Sequence, residues 1–314
     1  MSQAPSTERL HFKFSTDGDE TDDGHGSECE CASSECEDCA AEDDGSERYE
    51  REGAIKRLTE FVASDDLNAH ESTSKALYDM MPDAEVSESW AEQELCSLFM
   101  EMAEQIPHNH RGQDKLAALM IGLANLDRFN ALEQRRINLD PTSEGFMPIG
   151  YSYYSPFVLF GQDFVELWSR TSPECYDSCF LNLCAFHARL STAGLDYSLH
   201  FRILSMRTIL EKYTEGYSLA QRSILVMLAA VWILHGGQLF FHHVVVYPPP
   251  MTEENWRSYR SGDLYNGSIF GLERWSFWQA RLAELSDNSG ISEEARGLGS
   301  RAADLMAALA RTIK

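Results

Sequence analysis

Positive charge is scarce in this sequence: 26 Lys and Arg stand against 50 Asp and Glu, a formal net charge of −24. A chain so acidic has little with which to neutralise phosphates, which argues against a grip on nucleic acid or on an anionic membrane. Also missing is an uninterrupted apolar run of roughly 20 residues, the length that a bilayer span needs. The nearest candidate, SILVMLAAVWIL from Ser223 to Leu234, is followed by His235, Gly236, Gly237 and Gln238. It reads as a buried core helix, because a helix that is apolar all round is usually buried. MSQAPSTERLHFKFS has no basic segment followed by a sustained apolar one, so no secretory signal is expected. The expected location is cytoplasmic or nuclear, where thiols stay reduced.

Catalytic signatures are lacking too. There is no G-x-S-x-G elbow, no G-x-x-x-x-G-K loop, no H-E-x-x-H and no G-x-G-x-x-G, so nucleophile, phosphate, zinc-protease and dinucleotide motifs are all absent. Asp65-Asp66 lacks the third carboxylate that a diphosphate–magnesium site would show at helical spacing. The reading leans away from an enzyme.

What is present falls into two parts. Residues 1–46 are dominated by Asp, Glu, Gly, Ser and Cys, and almost no apolar residue follows Phe14. Such a segment cannot bury enough surface to offset its ordering entropy, so a disordered acidic arm is expected. Within it, ECECASSECEDC places Cys29, Cys31, Cys36 and Cys39 in a C-x-C-x4-C-x2-C spacing. Four thiolates suit Zn²⁺ or Cu(I). The four-residue spacer is shorter than in folded zinc knuckles, so a plain acidic arm is the main expectation and zinc chelation the alternative. No other cofactor is implied.

Residues 47–314 carry helical patterning, with a possible subdivision near 140–160, where Pro, Gly and aromatic residues cluster. Ile55, Leu58, Phe61 and Val62 share one face, and a second short helix fits SKALYDMM. The segment from about Ser87 to Ile106 places Trp90, Leu95, Leu98, Phe99 and Met102 inward. Leu116, Leu119, Met120, Leu123 and Leu126 form the next stripe. Further helices are expected around Phe164–Trp168, Ser178–Leu190, Ser198–Lys212 and Leu219–Leu234, with VVVY near Val244 β-prone and Pro248-Pro249-Pro250 a stiff break. Trp275, Trp278, Leu282 and Leu285 mark a buried helix face. The last helix should start after Ser292 as N-cap, with Glu293 and Glu294 in its first turn. The fold class is therefore all-α: an irregular multi-helix bundle behind a disordered acidic arm.

Three stretches, FLNLCAFHARL (Phe180–Leu190), AAVWILHGGQLFF (Ala229–Phe241) and FGLERWSFWQARLAELS (Phe270–Ser286), stand in an order that resembles a filamentous-fungal family of uncharacterised all-helical proteins. Its marks are NLxAFxARL and ERWxFW. IPHNHRGQDKLAALMIGL (Ile106–Leu123) fits the same resemblance, which covers most of residues 50–310 and implies a helical domain without implying an activity.

Several candidate sites remain. Cys175, Cys179, Cys184 and His187 invite a metal reading. At about 100° per residue on one helix, however, they point in diverging directions and cannot all converge on one ion. The pairs His108/His110 and His242/His243 would need further ligands, and helix-start hydrogen bonding is the simpler role for the first. Tyr153, Trp168, Trp232, Trp275 and Trp278 are candidate pocket walls, and Arg189, Glu273 and Arg274 a candidate rim. The same aromatic residues fit a core equally well. Two functions follow as expectations: an interaction or scaffold protein, with an unknown and possibly basic protein partner, or a small-molecule binder or enzyme with an inter-helix aromatic pocket.

Overall fold

The computed structural model describes residues 10–14, 51–66, 69–81, 88–126, 173–193 and 199–313. Its helices are α1 (Arg51–Ala63), α2 (His70–Asp79), α3 (Glu88–Gln105), α4 (Arg111–Ala124), α5 (Ser178–Thr192), α6 (Leu199–Leu210), α7 (Leu219–Phe241), α8 (Glu253–Tyr259), α9 (Leu272–Ser286) and α10 (Glu293–Arg311). Among the described residues there is no strand. The protein is all-α. The helix expected around Phe164–Trp168 and the irregular stretch near 140–160 lie outside the described residues.

Helix α7 is the axis of the fold. It packs against α10 and α5 on two sides and also touches α6 and α9. Leu225 through Ile233 are all buried, as an all-apolar helix requires. Leu219–Val246 is long and apolar enough to cross a membrane by length and composition, yet most of it is buried inside the protein. Helix α5 links the two ends of the molecule, because it packs on α7 and also on α3 and α4. The buried apolar side chains from Ala54 to Met306 belong to one continuous core.

Polar side chains close the helix ends, as the unpaired terminal N–H and C=O groups demand. His110 caps α4 by accepting from Gly112 N at 3.0 Å, and Asp177 caps α5 by accepting from Phe180 N at 2.9 Å. Ser218 and Gln221 form a capping box on α7. Ser292 caps α10, with Glu293 and Glu294 in its first turn, as its sequence predicts. At the end of α1, Lys115 Nζ donates to the carbonyls of Phe61 and Ser64, a cation on the negative end of a helix dipole. Where α3 ends, Gln113 Nε2 donates to the carbonyls of Ala103 and Ile106 at 3.0 and 2.7 Å, and Asn182 Nδ2 donates to Glu104 O at 2.8 Å.

Three features depart from the sequence reading. The helix expected to stop near Leu234 runs on through Gly236 and Gly237 to Phe241. The glycine lets the helices approach closely, since a Cβ at Gly236 would lie 2.7 Å from Ser191 Oγ of α5, which would have to turn aside. The β-prone VVVY continues the same rod as a π-helical turn, His242–Val246, before the prolines end it. Inside the stretch read as a disordered arm, Leu10, Phe12 and Phe14 pack on the core. Lys13 and Gln105 of α3 exchange two hydrogen bonds, each of 2.7 Å.

Burial pushes His187 down to about 3. Burial, and then the nearby Arg189 guanidinium, push His235 down to about 3 as well. Unfolded, each histidine takes up a proton below its ordinary 6.5; folded, each stays neutral down to about 3. The unfolded chain therefore binds more protons throughout that window, and stability falls as pH drops from 6.5 towards 3. In urea titrations, His187→Leu should flatten this decline by up to about 1.4 kcal/mol per pH unit. An unchanged slope would contradict a histidine held neutral in the fold.

Candidate functional site

A carboxylate buried without compensation is costly, and Glu211, one residue past α6, is 0% exposed. Its compensation comes from the first turn of α9. Arg274 Nε donates to Glu211 Oε1 at 2.6 Å and Arg274 Nη2 donates to Oε2 at 3.1 Å, the two-pronged geometry that suits a guanidinium. Trp278, one turn further along, donates Nε1–H to Oε1 at 2.6 Å. Gly262 N donates to Oε2 at 2.6 Å, and Leu264 N to the Glu211 carbonyl at 2.9 Å. The remaining donors of Arg274 reach the carbonyls of Tyr259, Ile269 and Arg260 at 2.7, 2.8 and 3.4 Å. All five N–H groups of the guanidinium are thereby placed. The pair ties the end of α6, the loop 259–270 and α9 into one unit. Close approach leaves no room for a side chain at Gly262, whose Cβ would stand 2.7 Å from Glu211 O.

The tryptophans read as pocket walls sit inside this same unit or beside it. Trp232, Trp275 and Trp278 are all 0% exposed. Phe240 of α7 lies between the last two, with ring centroids 5.7 and 5.6 Å away. Trp275 Nε1 donates to Met306 O of α10 at 3.1 Å. Arg274, a rim candidate in the sequence, is wholly buried, whereas its neighbour Glu273 is exposed. Arg189 belongs to a different cluster: its Nε donates to Asp114 at 2.5 Å and its Nη2 to His108 O at 3.0 Å. There His108 Nε2 lies 3.3 Å from Glu294 of α10. Burial lowers the His108 pKa; Glu294 opposes that shift and Arg189 adds to it. The rim candidates are thus not brought together. Tyr153, Trp168 and the four arm cysteines Cys29, Cys31, Cys36 and Cys39 lie outside the described residues.

Nor do the other candidate ligands assemble. Cys175 and Cys179 are exposed, Cys184 is buried, and burial raises the Cys184 thiol well above its usual range. Among the described residues, no group of three or more His, Cys, Asp or Glu has the geometry to hold a metal ion. An open groove of about 530 Å³ does lie between α5, α7 and α10, lined by Thr192, Ile233, His235, Gly237, Leu305 and Leu309 among others.

The most distinctive surface follows α7. The π-turn is pinned by Val244, fully buried, whose carbonyl accepts from Gly271 N at 2.8 Å. Fifteen residues on, Tyr259 is buried at the end of α8, with its ring 5.4 Å from Phe270 and its carbonyl held by Arg274. Between these anchors the chain exposes Val246, Tyr247, Met251 and Trp256, at 39, 69, 53 and 53%. The other large exposed apolar side chains, Tyr213, Leu219 and Ile313, are scattered elsewhere along the sequence. The arch 246–256 was not legible as a surface, because sequence marks its prolines as a break and its Tyr, Met and Trp equally well as core.

The fold and this arch define a helical protein with a packed aromatic interior and, among the described residues, a short apolar segment held out to solvent. Residues 97–282 match the sequence model of a family described as "Protein of unknown function (DUF3632)", and the chain belongs to that family. The match contains Asn182, Arg189, Glu211, the arch, Arg274 and Trp278, whereas α10 lies beyond it. No curated protein and no solved structure matches the chain.

Glu211→Gln leaves the Arg274 guanidinium buried without a counter-charge and should cost about 3–5 kcal/mol of stability. The double replacement Glu211→Met with Arg274→Met should cost less than the single change, because no lone charge remains. Additive losses in a denaturation cycle would contradict a coupled pair.

Proposed function

We propose that this chain is a helical interaction protein, which presents the arch 246–256 to a protein partner. The observation that carries this reading is the exposure of Tyr247, Met251 and Trp256 between two buried anchors, Val244 and Tyr259. Tyrosine and tryptophan are the residues most often found at the energetic centre of protein interfaces. Anchoring both ends lowers the ordering entropy that binding must overcome. Trp232, Trp275 and Trp278 supply no enclosed chamber of their own, since each is wholly buried against neighbouring side chains. The acidic balance of −24 supports a basic partner over nucleic acid or membrane, with the arm 1–46 as a second, electrostatic contact. Its four cysteines give that arm an optional zinc-binding role. The cytoplasm or nucleus is the compartment that fits.

A second reading rests on the groove between α5, α7 and α10, whose volume of about 530 Å³ falls within the range of small-molecule sites. It is open rather than enclosed, which favours the interaction reading.

Site-specific photo-crosslinking separates the two. A photoreactive residue at Trp256 should trap a defined polypeptide, whereas the same group at exposed Ser276 of α9 should not, and deleting residues 15–46, which spares the core contacts of residues 10–14, should leave the adduct in place. Identical adducts from both positions, or none from Trp256, would refute the arch as the docking surface.

A further inference from the structure

Pro248, Pro249 and Pro250 stand in sequence at the crown of the arch. The pyrrolidine ring fixes φ, and a following proline pushes the preceding residue into extended or polyproline backbone. Pro248 and Pro249 are both so constrained, whereas Tyr247 stands outside that region, at φ −132° and ψ 71°. A polyproline II helix has three residues per turn, so residues three apart lie on one edge. Pro248 and Met251 have that spacing. Both are exposed, as are Tyr247 and Pro250, whereas Pro249 is half-buried. The segment therefore turns Pro248, Pro250 and Met251 outward and rests on Pro249, with Tyr247 exposed at its entry.

Hydrogen bonds hold both of its ends. The Tyr247 N–H donates to His242 O at 2.8 Å, and the Tyr247 ring lies 4.8 Å from the His242 ring. On the other side, Thr252 N donates to Pro250 O at 3.1 Å and Trp256 N to Thr252 O at 2.9 Å, which turns the chain directly into α8. Exposed Glu253 opens that helix and pairs with Arg257 one turn on, at 2.5 Å. Outward side chains on a pre-ordered polyproline run are what aromatic-lined grooves read, because such a ligand loses little entropy on docking. The chain's net charge of −24 calls for basic groups at the rim of that groove.

Building on the interaction reading above, we propose that residues 247–251 are a ligand for a polyproline-reading domain with an aromatic groove and a basic rim. Pro248 and Met251 fill one set of pockets and Pro250 another, with Tyr247 beside them. Pro249 serves as the inward spacer. The overall negative field speeds encounter, so binding weakens with salt.

The test uses the full chain against purified SH3, WW and EVH1 domains, one at a time, by biolayer interferometry at low and high salt. At least one domain with a basic rim should bind, more weakly at high salt. Pro248→Ala and Pro250→Ala should each weaken that binding roughly tenfold, with a smaller loss for Pro249→Ala and none for Ser276→Ala. If no domain binds while crosslinks from Trp256 still trap a partner, the polyproline assignment is overturned and the interaction reading stands. If the crosslinks also vanish, both fall. Binding that is indifferent to Pro248 and Pro250 overturns the assignment as well.

Discussion

Two charges taken out of water destabilise a protein unless each meets the other with good geometry, and the Glu211–Arg274 pair is the point where this fold accepts that risk. The two residues are 63 apart in sequence, wholly buried, and joined by two hydrogen bonds. What the pair gains in return is position. Three N–H groups of Arg274 reach carbonyls of the loop 259–270, and the carboxylate of Glu211 accepts from Gly262 of that loop and from Trp278 of α9. The same loop begins at Tyr259, where the exposed arch returns to the core. The geometry of the arch therefore depends on a charge pair that no solvent reaches.

Two of the stretches that stand out in the sequence take on meaning in this light. In NLxAFxARL, Asn182 accepts from His108 N at 2.7 Å and donates to the end of α3, and Arg189 holds the loop before α4 through His108 O. In ERWxFW, Arg274 pairs with Glu211, Trp275 bonds α10, and Trp278 completes the carboxylate's shell. These side chains fasten helices to one another. Such stretches set the shape of the domain.

Much of the fold was legible because helical periodicity is a local signal. The stripes Leu95–Leu98–Phe99–Met102 and Leu116–Leu119–Met120–Leu123 are buried in α3 and α4 as read, and Ser292 caps α10. Readings that failed needed non-local knowledge. Gly236 and Gly237 look like a helix stop in isolation, yet they lie within α7, where Gly236 packs closely against Ser191 of α5. Val244–Val246 look β-prone, but no neighbouring strand among the described residues pairs with them, and they extend α7 as a π-turn. Leu10, Phe12 and Phe14 are too few to suggest order, until Gln105 supplies the partner that fixes Lys13. Glu211 was passed over because nothing within its own helix shows that its partner waits on α9. Arg274 and the tryptophans drew notice as an unusual cluster, but one-dimensional spacing does not distinguish a pocket wall from a packed interior.

The buried pair holds the loop that returns the arch to the core, and amide hydrogen exchange in Glu211→Gln reads that restraint residue by residue. Gly262, Leu264 and Gly271, whose N–H groups bond Glu211 or Val244, should lose protection, together with the backbone of α8. Leu98 in α3 and Leu119 in α4 should keep theirs. Uniform loss across all helices, or unchanged protection from 259 to 271, would contradict it.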